Sequence, residues 1–252
     1  MSKDLRDWIE SDVQPVRDRP LSWLSEHHVC RDPLRPTYAD GSYFYSPADG
    51  VILYQKTVGP DEAIAEVKGK GYSLRDALRD DGYDEPSFVI GIFMTLFDVH
   101  VNRIPYAGRL SYRLLEPIDT HNRPMLDVER SILDESGLSL AAAEYLRCNE
   151  RVVNRVDSVE LGQSYRILQI ADRDIDSITP FRSKQNEPCA QGARFSRIRR
   201  GAQVDLIVPL SPVYDFVATQ PTGCHVEAGL DTLIALRRKA EPSPSRAPED
   251  TS

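Results

Sequence analysis

A series of short β-rich runs, each bounded by turn-forming residues, sets what this chain can fold into. The runs are Val51–Tyr54, Phe88–Phe97, Arg109–Leu115, Val152–Val159, Tyr165–Ile170, Val204–Pro209 and Thr232–Leu236. Between them stand Pro47–Gly50, Gly59–Pro60, Asp81–Gly82, Pro105–Gly108 and Pro221–Gly223, residue pairs and clusters that favour reversal of the backbone. Two stretches read as helical: a turn capped by Ser73 and running to Asp80, and the Ala-rich segment Leu138–Arg147, which has good helix propensity. The predicted fold is therefore β-dominated α+β with a few peripheral helices. Residues 1–40 form a polar leader with two short helices, one carrying the stripe Leu5, Trp8 and Ile9 and the other Leu21 and Leu24 after Pro20. These are expected to pack on the body. Residues 41–239 read as one body without an internal linker, and 240–252, with three prolines and no apolar periodicity, as a disordered tail.

Composition removes several function classes. The 252 residues carry a formal charge of -8, which argues against nucleic acid, whose binders cluster positive charge on one face. The longest apolar run, Phe88–Phe97, has ten residues, too few for a bilayer span. The first thirty residues contain no apolar core of a secretory signal, so a cytoplasmic protein is expected. Cys30, Cys148, Cys189 and Cys224 are scattered without a CxxC pair, which points away from a zinc ribbon or disulfide framework. No spacing suggests a metal site, and the adjacent His27–His28 reads as a surface pair.

Three islands carry chemistry-bearing side chains. The first is Ser46-Pro47-Ala48-Asp49-Gly50, a tight turn entering a strand, where an Asp carboxylate ordinarily bonds nearby backbone N–H groups. In the second, the apolar run ends in Asp98, His100, Asn102 and Arg103. In a continuous strand Asp98, His100 and Asn102 share one face, and a carboxylate there would fix the tautomer of the imidazole. A satisfied buried histidine with its aspartate partner stands beside that reading. The third island runs from Ile198 through Gly201, Ala202 and Gln203 to Pro209, a turn feeding a strand.

The order of these islands matters. SPADG is followed by KGxGYS (Lys68–Ser73), FMxxFDVHVNRxP (Phe93–Pro105), NER (Asn149–Arg151), QIA (Gln169–Ala171) and GxxVDLxxP (Gly201–Pro209). The series resembles the phosphatidylserine decarboxylase family, in particular its smaller bacterial and archaeal type, from about Arg31 to about Leu236. The resemblance implies a β-sandwich-like core and a lyase that carries a pyruvoyl group made from its own chain. In such enzymes the serine of a Gly-Ser pair attacks the preceding carbonyl, and β-elimination leaves the ketone on a new N-terminus. It also implies that Asp49 and His100 activate that serine and that members tend to self-associate, which exposed strand edges allow.

The position matching the serine is Ala202, in the degenerate cleavage site Gly201–Ala202. A methyl group has no lone pair with which to attack and no leaving group to eliminate, so no pyruvoyl cofactor is expected. Arg200 in the aromatic position, Gln203 in the arginine position, Ser196 in the glycine position and Asp172 after QIA accompany the change, which favours natural divergence over an engineered serine replacement. Arg194, Arg197, Arg199 and Arg200 read as an anion clamp or as a solvated loop. Two function classes follow. One is a pyruvoyl-independent lyase on a soluble carboxylated or phosphorylated amine, with Asp49, His100 and Asp98 catalytic and Asn102, Arg103, Arg200 and Gln203 binding substrate. The other is a non-catalytic ligand-binding or regulatory homologue, or an inactive form of a true phosphatidylserine decarboxylase. The charged leader makes membrane association an unlikely partner mode.

Overall fold

The longest apolar run lies at the centre of the molecule because its strand is covered on both faces. The computed structural model describes residues 2–119, 121–135, 139–174, 176–181, 184–199 and 201–239; the 240–252 tail and Arg200 lie outside the described residues. The N-terminal arm holds α1 (Leu5–Trp8), prolonged by a π-helical turn over Ile9–Val13, and α2 (Leu21–Trp23), prolonged likewise over Leu24–His28. The body follows with β1 (Tyr43–Tyr45), β2 (Gly50–Val58), β3 (Ala65–Val67), β4 (Lys70–Tyr72), α3 (Leu74–Leu78), β5 (Ser87–Met94), β6 (Val101–Arg103) and β7 (Gly108–Leu115). Then come α4 (Leu126–Leu133), α5 (Tyr145–Cys148), β8 (Arg151–Ser158), β9 (Gln163–Ala171), β10 (Ile178–Pro180), β11 (Glu187–Cys189) and β12 (Arg194–Ile198). The chain closes with β13 (Ala202–Pro209), β14 (Tyr214–Ala218), β15 (His225–Val226) and β16 (Thr232–Arg238).

Eight strands form one antiparallel sheet in the order β11-β7-β8-β9-β13-β5-β2-β15, beside two three-stranded sheets, β1-β16-β14 and β10-β12-β6, and the β3-β4 hairpin. The two faces of the large sheet bury separate apolar layers. One packs Val89 and Phe93 of β5 and Ile207 of β13 against the helices through Trp8, Leu24, Leu74, Ile132 and Tyr145. The other packs Ile90, Ile92, Val204 and Leu206 against the small sheets through Phe44, Phe195, Ile198 and Ile234. Central strands covered this way read as continuous apolar runs rather than alternating ones, and every residue of β5 and β13 is buried. The β-dominated α+β class read from the sequence is the class observed.

One helical expectation holds and one is adjusted. Ser73 caps α3 in a reciprocal capping box, accepting from the Asp76 backbone N–H at 3.3 Å while the Asp76 carboxylate accepts from the Ser73 N–H at 2.9 Å. The Ala-rich segment is helical only over Tyr145–Cys148 among the described residues. Tertiary contacts override propensity there: Ala141 accepts from the Lys68 N–H, and Ala143 closes a turn onto Leu140 before burying against the core. The sequence reading missed α4, whose Val128 and Ile132 face the core while Leu126 stays exposed.

Gly50 makes the entry to β2 possible. Its φ is +152°, and a Cβ there would lie 2.1 Å from the Phe93 carbonyl oxygen. No rotamer relieves a clash between a Cβ and backbone, so Gly50→Ala is expected to cost about 3 kcal/mol. Urea denaturation of the two proteins checks this; a difference under about 0.5 kcal/mol, the range of an ordinary surface change, would remove the argument.

Candidate functional site

Strand β5 ends at Met94 because a carboxylate folds back on the chain. Asp98 Oδ2 accepts from the Thr95 backbone N–H at 2.7 Å and from Thr95 Oγ1 at 2.8 Å, while the Asp98 N–H donates to the Thr95 carbonyl at 3.1 Å. The turn breaks the expected strand, and Asp98, His100 and Asn102 do not line up on one face; β6 resumes only at Val101. The other oxygen of Asp98 accepts from His225 Nε2 at 2.7 Å. Trp8 of the N-terminal arm stacks on the His225 ring, with centroids 4.7 Å apart and planes 9° from parallel. Burial alone lowers the His225 pKa, but the Asp98 charge and hydrogen bond outweigh it and hold the imidazole above its ordinary value. Asp98 is held below its ordinary value in return, burial being offset by His225 and by the Thr95 donors.

His100 is fully buried, and neither predicted carboxylate touches it. Its Nε2 lies 2.8 Å from the Thr95 carbonyl and its Nδ1 3.2 Å from the Ile198 carbonyl. A neutral ring donates to only one of these, and burial pulls the His100 pKa down. Asp49, the other expected orienter, is bound elsewhere. Both its oxygens accept from Arg35, at 2.6 Å each, and Oδ1 also accepts from the Ala228 N–H at 2.7 Å. A desolvated carboxylate needs a charged, geometrically matched partner, and Arg35 supplies it with a side chain only 3% exposed. The sequence reading named neither Arg35 nor His225. Arg35 falls in the segment read as leader, and His225 stands alone between Cys224 and Val226 with no motif to mark it.

The expected substrate-binding residues are also committed internally. Asn102, fully buried, accepts from Gln169 Nε2 at 2.6 Å, and Gln169 in turn accepts from Asn154 at 2.9 Å. Arg103 donates to the Gly192 carbonyl at 3.1 Å and reaches Asp32 at 3.4 Å. Gln203 points into the helical layer: its amide accepts from Tyr145 at 2.8 Å and donates to Tyr54 at 2.8 Å and to Asp205 at 2.7 Å. Burial pushes the Asp205 pKa up to about 6. In strands β6 and β13 these amides satisfy a core that a two-sided sheet leaves without water. Arg200 lies outside the described residues.

Ala202 opens β13 fully buried, paired with Met94 on one side and Ala171 on the other. Just before it, Gly201 borders a cavity of about 380 Å³ together with Leu21, Leu96, Leu126, Glu129 and Asp172. A Cβ at Gly201 would sit 3.3 Å from Asp172 Oδ2. Asp172 Oδ1 accepts from the Met125 N–H at 2.8 Å, and Glu129 Oε1 accepts from the Leu96 N–H at 3.0 Å. Burial pushes the Glu129 pKa up to about 7, against that hydrogen bond. A protonatable carboxyl in a cavity is a recurrent mark of a functional group, and its only trace in the sequence is a position on the missed helix α4. A second cavity, of about 690 Å³, lies under the N-terminal arm beside Asp98 and His225. The Thr95–Asp98 turn separates the two, with Leu96 on one wall and Phe97 on the other.

Comparison with known proteins gives the family. The family model described as phosphatidylserine decarboxylase matches residues 28–231. A phosphatidylserine decarboxylase proenzyme of Novosphingobium aromaticivorans is 34% identical over 196 residues, covering 75% of this chain and 66% of that protein. One from Erythrobacter litoralis is 33% identical over 196 residues, 75% of this chain and 67% of that protein. A putative archaetidylserine decarboxylase proenzyme of Methanothermobacter thermautotrophicus is 32% identical over 180 residues, 71% of this chain and 68% of that protein. The chain spans about two thirds of the length of these relatives. With the model matching most of the chain, and the motifs lying on adjoining ends of β5, β6 and β13, this protein belongs to the phosphatidylserine decarboxylase family.

Proposed function

We propose that this family member remains a single chain without a pyruvoyl group at residue 202 and binds an amine-bearing ligand in the cavity beside Gly201. The pyruvoyl group needs a hydroxyl at that position. Ala202 instead places a methyl in the apolar layer of the sheet, with Met94 and Ala171 as strand neighbours. The residue does not fit the group. The observation that carries the binding reading is that Glu129 and Asp172 line the same cavity as Gly201. With Glu26 they line the cavity with three carboxyl groups, beside the Arg173 guanidinium among the described residues, a set that offers partners to an ammonium group. Leu21 and Leu126, 66% and 50% exposed, edge the cavity and suit an apolar portion of the same ligand. The ligand class is thus an amine with an apolar body.

A second reading, a pyruvoyl-independent lyase, rests on Glu129 alone. A carboxyl with pKa near 7 is poised to give or take a proton at neutral pH. His100 and Asp49 support the binding reading instead, since backbone carbonyls and Arg35 occupy them. Calorimetric titration with hexylamine tests the binding reading. Hexylamine is expected to bind saturably, with Glu129→Gln weakening it at least tenfold. Absence of amine binding sinks the proposal, whereas Glu129-dependent turnover of a bound amino acid favours the lyase.

Three further outcomes are expected. Intact mass under denaturing conditions gives one full-chain species near 28.4 kDa, unchanged by borohydride; two fragments dividing at Gly201 would overturn the single-chain reading. Glu129 has a folded pKa raised above the ordinary carboxylate range to about 7, so its burial lowers stability as pH rises toward 7. Glu129→Gln should therefore raise Tm at pH 8 and leave it nearly unchanged at pH 4; a lower Tm at pH 8 contradicts this.

The Asp98–His225 pair behaves as a structural ion pair. His225 is raised above 6.5, so its contribution is complete below that value and is lost as pH climbs through the folded pKa. Asp98 is lowered below 3.8, so its share is present above that value and is lost on acidification through its folded pKa. The Tm difference between wild type and His225→Gln should then be largest between about pH 4 and 6.5 and shrink toward pH 9. A difference independent of pH would show that the pair carries no net charge interaction.

A further inference from the structure

The larger cavity, about 690 Å³, lies between the N-terminal arm and the body and shares no residue with the cavity beside Gly201. Its wall carries five carboxylates, and each has a cationic partner. Asp49 pairs with Arg35, Asp98 with His225, Asp12 with Lys3, Asp32 with Arg194 and Arg103, and Glu227 lies 3.7 Å from Arg35. The groups on this wall that lack such a match are nitrogens. Arg31 donates to the Phe97 carbonyl at 2.8 Å, and no carboxylate among the described residues lies within ion-pair distance of its guanidinium. His28 is only 6% exposed, and its Nε2 is buried with no hydrogen-bond partner. His225 Nε2 is fixed by Asp98, and its Nδ1 has no partner among the described residues. Of the three groups only His28 Nε2 is a buried atom without a hydrogen-bond partner, and such an atom calls for an explanation.

We propose that this cavity is a binding site for a small molecule bearing an oxyanion, a carboxylate or a phosphate monoester, held by Arg31, His28 and His225. Each carboxylate nearby has a cation at hydrogen-bond or ion-pair distance, Arg35 serving both Asp49 and Glu227, which weakens their repulsion of such a group. Asp98 favours the protonated form of His225 and so makes Nδ1 a donor. Burial, and then the Arg31 charge, hold His28 below its ordinary pKa, against a contact with the Phe97 backbone; an anion between the two offsets that repulsion. A guanidinium and two imidazoles converging on a cavity are a donor set suited to oxyanions. The ligand sits under α1, whose Trp8 already covers His225, so it would bridge the arm to the body.

The protein reports on this site by itself. Its two tryptophans each pack on one of the two histidines, Trp8 on His225 at 4.7 Å and Trp23 on His28 at 5.1 Å. Titrating the full chain with inorganic phosphate, and separately with acetate, at ionic strength matched with chloride, should give a saturable change in tryptophan fluorescence. Tighter saturation by phosphate assigns the phosphate monoester class, and tighter saturation by acetate the carboxylate class. Arg31→Gln and His28→Phe, each checked for native far-UV circular dichroism, should weaken the binding at least tenfold. A fluorescence change that fails to saturate, that chloride reproduces, or that survives in folded Arg31→Gln protein overturns the proposal.

Discussion

One buried carboxylate organises the functional end of this molecule. Asp98 takes three donors at once, the Thr95 backbone N–H, the Thr95 hydroxyl and the His225 imidazole. That set compensates its removal from water and fixes three features together. It stops β5 at Met94, turns the Thr95 carbonyl toward the His100 ring, and ties β15, at the edge of the large sheet, to the turn that follows a central strand. The same turn forms the wall between the two cavities, so their positions depend on this one side chain.

Around it, charged and polar groups are matched inside the protein. Arg35 with Asp49, the Gln203–Asp205–Tyr54–Tyr145 cluster and the Asn102–Gln169–Asn154 chain each satisfy atoms that the two apolar layers shut off from solvent. Such networks stabilise only when complete, and their completeness gives the family's motif residues a structural role in this chain. Two exceptions border the cavities. Among the described residues Glu129 is buried without a charged partner, and His28 Nε2 under the arm is buried without a hydrogen-bond partner. Groups left at a cost to stability are the ones a ligand site would be built from.

Much of the architecture was legible in the sequence. Apolar runs and turn residues placed the main strands within a few positions, since a strand covered on both faces has little freedom in composition. The cap at Ser73 was readable because an N-cap residue is local in sequence. Helix α4 was missed although Val128 and Ile132 are spaced for one face, and the Ala-rich segment was over-read because local propensity is weak against tertiary contacts. The strand expected through Asp98 failed for a related reason: a side chain that bonds its own backbone ends a strand without any glycine or proline to announce it.

What the sequence determined by itself is the β-rich class, the order of the motifs and the chemistry of position 202, where a methyl stands whatever surrounds it. Which side chains meet was decided only by tertiary structure. Asp49 and Arg35 are fourteen residues apart and Asp98 and His225 are 127 apart, and no periodicity links members of such pairs. Partner choice among buried charges follows from the geometry of desolvation and hydrogen bonding, which exists only once the sheets are assembled. The cavities beside Gly201 and beneath the N-terminal arm arise the same way, as spaces between elements distant in the chain.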